Sequence, residues 1–194
     1  MWKPTLVVLL LFGIVGLPAH ARTCTATDLK VPTFTEIPDS SVPLVLNGYG
    51  TRTKFLWDVY IGALYLPRRS SRVPEILAMP GPKRLWLHFL REVSAEKLLE
   101  GWRDGFEGNN TPAQLALLAQ RLEKTYPLFR TMKEGESLTL DYLPGVGTQL
   151  RIEGKPDITI SGEDFYRAIL KVWLGERPAQ SALRDCLLGG NAAG

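Results

Sequence analysis

Residues 46–67 read Leu-Asn-Gly-Tyr-Gly-Thr-Arg-Thr-Lys-Phe-Leu-Trp-Asp-Val-Tyr-Ile-Gly-Ala-Leu-Tyr-Leu-Pro. The segment opens on Asn47-Gly48-Tyr49-Gly50, a composition that suits a turn. Two aromatic and β-branched runs follow, Arg52–Leu56 and Val59–Leu66. Together they predict a strand hairpin pivoting at Trp57-Asp58. Arg52 is the one cation just after the turn. Pointed inward, its guanidinium needs an anion or several acceptors. Thr53, Tyr60 and Tyr65 are polar groups at neighbouring strand positions. An arginine among aromatics at a pocket mouth suits a carboxylate or an enolate-like oxygen, whereas the plain alternative is a surface arginine.

The rest of the chain reads as strands and helices around this hairpin. Val42–Leu46 is a short entering strand, and Cys24–Ser41 is an extended lead-in. Pro67–Arg72 carries three arginines and reads as a solvated loop, followed by a short helix over Pro74–Met79. Arg84–Arg91 alternates Leu85, Leu87 and Phe89 with Trp86, His88 and Leu90, which predicts a central strand covered on both faces. Ser94 starts a helix with Ala95, Leu98, Leu99, Trp102 and Phe106 along one stripe. Thr111-Pro112-Ala113-Gln114 is a capping box opening the next helix. Strands are predicted at Ser137–Tyr142, Gln149–Ile152 and Asp157–Ile160, joined by glycine turns. Ser161–Asp164 caps a helix running to Leu174, and a last helix spans Pro178–Leu188. The pattern is α+β in one domain, residues 22–194.

The first residues stand apart. Met1–Ala21 has a positive start at Lys3, an apolar run over Thr5–Leu17 and an Ala19-His20-Ala21 cleavage pattern. This reads as a secretory signal peptide with a run too short to span a bilayer, a retained anchor being the alternative that the cleavage pattern argues against. The remaining chain has no second run of that length, so the mature protein is expected to be soluble, and periplasmic or secreted. Its net charge, below the +3 of the whole chain once Lys3 is lost, is too mild for a nucleic-acid footprint. Cys24 and Cys186 both survive cleavage. In an oxidising compartment they read as a disulfide tying the two ends, with two free thiols as the alternative.

Catalytic chemistry has little to work with. Of two histidines, His20 leaves with the signal peptide and His88 sits inside an apolar strand. That excludes a multi-histidine metal site. No nucleophile elbow, zinc-protease or redox motif is present, and Gly48-Tyr49-Gly50 lacks the third glycine and the helix of a dinucleotide site. No metal, cofactor or catalytic residue is assigned.

Three stretches carry a family likeness: residues 47–66 as quoted, Gly81-Pro-Lys-Arg-Leu with Phe-Leu-Arg-Glu-Val-Ser-Ala-Glu-Lys97, and Phe165-Tyr-Arg-Ala with Trp-Leu-Gly-Glu-Arg-Pro178. Together they resemble the bacterial chalcone isomerase-like proteins over about Val42–Leu188. The resemblance implies a large antiparallel sheet with a helical layer on one face, and a ligand cleft between them. Plant chalcone isomerases close a chalcone to a flavanone, and noncatalytic relatives bind fatty acids with an arginine and a tyrosine. Arg52 matches the arginine that polarises the substrate. A family threonine falls at or near Tyr60. The enzyme's helical tyrosine and asparagine fall near Ser94 and Gly101, and its late Ser/Thr at Val172, none of which matches. The guanidinium is kept and most of the polar network is gone. The resemblance therefore implies a noncatalytic protein in which Arg52 and Tyr60 bind a small apolar carboxylate such as a fatty acid. Leu98, Trp102, Ile169 and Trp173 are then candidates for the apolar wall. An isomerase using Arg52 as electrophile and an envelope protein that binds a protein partner are the alternatives.

Overall fold

The computed structural model describes Cys24, residues 29–38 and residues 40–190. The signal-peptide reading of residues 1–21 lies outside the described residues. Seven strands form one antiparallel sheet in chain order: β1 (Phe34–Thr35), β2 (Leu44–Lys54), β3 (Trp57–Leu66), β4 (Lys83–Phe89), β5 (Ser137–Leu143), β6 (Gly147–Ile152) and β7 (Ile158–Ile160). The helices are α1 (Val73–Ala78), α2 (Ala95–Asn109), α3 (Pro112–Glu123), α4 (Glu163–Leu174) and α5 (Ser181–Asp185). The architecture is the expected α+β. Among the described residues, no helix is long and apolar enough to cross a membrane.

Period-two alternation sorts the sheet into two faces. Leu64, Leu85, Leu87, Phe89, Leu138, Leu140 and Leu150 share one continuous core with Trp102 and Phe106 of α2 and Phe165, Ile169 and Trp173 of α4. The opposite face holds a smaller cluster, where Leu44, Leu46, Ala63 and Tyr65 meet Ile37 of the lead-in. Its open part is polar: Arg84 grips the buried Asp141 carboxylate through Nε at 2.7 Å and Nη2 at 2.8 Å, and Arg151 adds a third bond at 3.0 Å. β4 is therefore central but not covered on both faces. Arg84, Trp86 and His88 are only half-buried, with Trp86 stacked on His88.

Local chemistry fixes the helix starts. Ser94 Oγ accepts from Lys97 N, and the Thr111/Gln114 capping box is complete. α4 starts at Gly162 without a side-chain cap, and Glu163 and Asp164 instead place negative charge in its first turn. α5 is shorter than the predicted last helix and continues as a π turn over Cys186–Gly190.

The key hairpin differs from expectation at two points. Asn47–Gly50 is not a turn but the middle of β2, which runs unbroken through it. The pairing slips between Leu46 and Gly48, so Asn47 is bulged. Asn47 Nδ2 donates to Leu187 O at 2.7 Å, and Asn47 Oδ1 accepts from Ser70 N at 2.7 Å. Gly48 and Gly50 serve close approach. A Cβ on Gly48 would collide with the Cys186 carbonyl and stand 2.8 Å from Leu187 O, and one on Gly50 would stand 2.6 Å from Cys186 Cβ. The C-terminal segment thus lies directly on β2. The Cys24–Cys186 disulfide fastens it there, and Thr51 N donates to Cys24 O at 3.1 Å.

The second difference is the pivot. Lys54 pairs with Trp57, so the loop is Phe55-Leu56 rather than Trp57-Asp58. Phe55 takes the positive φ of 58° that a two-residue loop commonly assigns to glycine or asparagine. A second slip follows, between Thr53 opposite Asp58 and Arg52 opposite Tyr60, which leaves Val59 as the extra residue. The bulge decides which face Arg52 shares with β3.

Candidate functional site

Because Arg52 and Tyr60 are direct cross-strand partners, their side chains leave the same face of the hairpin. That face meets α2 and α4, where a cavity of about 500 Å³ opens between sheet and helices. This is within the range of small-molecule sites. Arg52, Tyr60, Phe89, Leu98, Trp102 and Trp173 all line it. The two predicted site residues therefore share one cavity. The Arg52 guanidinium carbon lies 5.6 Å from the centre of the Tyr60 ring.

Tyr60 is buried and held by two neighbours. Phe89 packs edge-on against its ring, and Trp173 Nε1 donates to its hydroxyl oxygen at 2.8 Å. An indole N–H is a donor only, so Tyr60 Oη is the acceptor in that bond. Among the described residues its own proton has no acceptor. Burial raises the Tyr60 pKa, against the opposing pull of Arg52 and of the Trp173 bond. At neutral pH the group is a neutral O–H donor beside a half-buried cation. Donor and cation together match the needs of a carboxylate.

The interior is otherwise apolar, and the rim is charged with both signs. Lys54, Arg91 and Lys97 stand there with Glu92, Glu100 and Asp104. Arg91 lies 4.9 Å from the Trp57 ring centre. It was not among the predicted site residues. The signal was present, since Leu87, Phe89 and Arg91 continue one strand alternation. Of the predicted wall, Leu98, Trp102 and Trp173 line the cavity, whereas Ile169 is packed in the core.

Other polar candidates point elsewhere. Thr53 Oγ1 bonds Asp58 Oδ1 at 2.9 Å. Tyr65 belongs to the opposite face, where its hydroxyl donates to Pro32 O at 3.0 Å. His88 Nδ1 is 3.1 Å from Ser137 Oγ, and burial lowers its pKa. Gly101 and Val172 do line the cavity, and neither offers a hydrogen-bonding side chain. Among the described residues, no group of three His, Cys, Asp or Glu is placed to hold a metal.

Comparison with known proteins agrees with this architecture. The chalcone isomerase-like family model matches residues 25–189. The solved structure of the Arabidopsis thaliana fatty-acid binding protein AtFAP1 superposes with a TM-score of 0.61 at 17% identity, covering 84% of this chain and 93% of that one. At that identity the likeness concerns the fold. No curated protein matches the sequence.

Proposed function

The chain belongs to the chalcone isomerase-like family, and we propose that it is an exported binding protein for a small apolar carboxylate, a fatty acid. The observation that carries this reading is the convergence of Arg52 and Tyr60 on one apolar cavity. Arg52 meets one carboxylate oxygen, Tyr60 donates its free proton to the other, and Leu98, Trp102 and Phe89 hold the chain. Each buried methylene adds about 0.8 kcal/mol, so the tail supplies most of the affinity and the two polar groups set its orientation. The fatty-acid binding named for AtFAP1 supports the same ligand class. Export is supported by the disulfide, which suits an oxidising compartment.

Enzymatic isomerisation is the weaker reading. Gly101 and Val172 offer no side-chain hydroxyl or amide, so beyond Arg52 and Tyr60 the cavity interior has little to position an enone and move its proton. The test is native mass spectrometry of protein purified without detergent, beside Arg52→Ala. A bound mass of fatty-acid size, lost in the variant, is expected. Bare protein in both samples, with steady turnover of an enone phenol, would reverse the choice.

A further inference from the structure

The hairpin tip carries three consecutive large apolar side chains facing water. Phe55 is 90% exposed, Leu56 93% and Trp57 64%. Folding does not account for them. The loop position with positive φ favours glycine or asparagine, and a bulky aromatic there is an outlier. Such an outlier, wholly solvent-exposed, points to a use outside the fold. Two further facts narrow that use. Lys54 flanks the tip and Arg91 sits over the Trp57 ring, so the apolar cluster carries a cationic collar. Asp58, the nearest acid in sequence, is engaged by Thr53 Oγ1, Glu100 and Asp104 stand on α2, and Glu92 follows Arg91 in the connection before α2. The tip is also continuous with the cavity, since Lys54, Phe55 and Trp57 line its mouth.

We propose that the Phe55-Leu56-Trp57 tip docks on an anionic lipid bilayer, inserting its side chains at the headgroup level and turning the cavity mouth toward the membrane. Apolar wedges with an indole and adjacent cations are the chemistry of interfacial anchoring. The inference rests on the fatty-acid reading only for its purpose: a ligand with poor water solubility passes between bilayer and cavity without crossing water. A single three-residue tip binds reversibly, which suits a carrier.

The test is co-sedimentation of the mature protein with vesicles of phosphatidylcholine alone and of equimolar phosphatidylcholine and phosphatidylglycerol. The expected result is binding to the anionic vesicles, weakened by salt and weaker still on the neutral ones. Leu56 does not line the cavity, so Leu56→Asp is expected to keep its melting temperature and its uptake of fatty acid from solution. It is expected to lose vesicle affinity by at least about tenfold, whereas Leu56→Trp retains or tightens it. Arg52→Ala is expected to do the reverse, binding vesicles while losing fatty acid. Failure of wild type to bind anionic vesicles, or equal binding by Leu56→Asp, overturns the proposal without touching the ligand reading. Lipid-indifferent self-association that Leu56→Asp abolishes overturns it in favour of a second copy of the chain.

Discussion

Trp173 Nε1 donates to Tyr60 Oη at 2.8 Å, across the interface between α4 and the sheet. The bond fixes the direction in which the tyrosine proton points, because the indole can only donate. Tyr60→Phe therefore removes an acceptor as well as a ligand group. The buried Trp173 N–H is left unpaired, at a cost of about 1–3 kcal/mol in urea unfolding. Fatty-acid affinity falls as well, by roughly tenfold for one lost charge-assisted bond. A stability loss without an affinity loss would assign Tyr60 to the core alone.

Arg52→Ala separates the same two effects differently. The residue is half-exposed, so stability is expected to change by no more than about 0.5 kcal/mol. Displacement of a fluorescent fatty acid should show an affinity loss of about tenfold to a hundredfold. Arg52→Lys is expected to fall between, keeping charge without the planar fork.

Gly48→Ala tests the seat of the C-terminal segment. The added methyl meets backbone carbonyls rather than a movable side-chain end, so the cost is expected near the upper end of about 1–3 kcal/mol. Reduction of the Cys24–Cys186 bond, which closes a loop spanning 162 residues, is expected to lower stability by up to about 5 kcal/mol in the chain-entropy account. Chemical denaturation with and without reductant measures both.

Lys83 gives the pH dependence. It is buried on β4, donates to Gly81 O at 3.3 Å and lies 5.0 Å from the Tyr142 ring centre. Burial pulls its pKa from 10.5 down to about 8, against the opposing pull of Glu163. Between those two values the unfolded chain holds a proton that the folded one has released. Stability contributed at this site therefore rises as pH climbs from about 8 toward 10. Lys83→Met should remove the rise and stabilise the protein at neutral pH by on the order of 2 kcal/mol, after a discount for solvent screening. Urea midpoints across that range check it, and a flat wild-type profile would refute it.

The parts of the fold that were legible in sequence share a cause. Leu85, Leu87 and Phe89 alternate because one face of β4 is buried, and Thr111 and Gln114 satisfy helix donors within four residues. The capping box and the strand alternation are local, so sequence shows them. Gly48 and Gly50 looked like turn residues because the reason for them, Cys186 and Leu187, lies far along the chain. The hairpin pivot was misplaced because Phe55-Leu56 has none of the composition of a loop. Arg52 was legible as a candidate through the family likeness. Its alignment with Tyr60 was not, because the Val59 bulge shifts the register without any mark in the alternation.

The strictly sequential strand order has a kinetic meaning. Each strand pairs with its neighbour in the chain, so the sheet can zip up from short closures, which favours fast pairing. The exception is the step from β4 to β5, where residues 90–136 intervene and bring α2 and α3 with them. That closure carries the largest loop-entropy cost among neighbouring strand pairs, and its connection also supplies Leu98 and Trp102 to the cavity. The seating of Cys186 on Gly50 joins residues from nearly opposite ends of the chain. The site thus joins a local pair, Arg52 and Tyr60 on one hairpin, to a helical wall that comes from far along the chain, and the Cys24–Cys186 bond ties the ends around both.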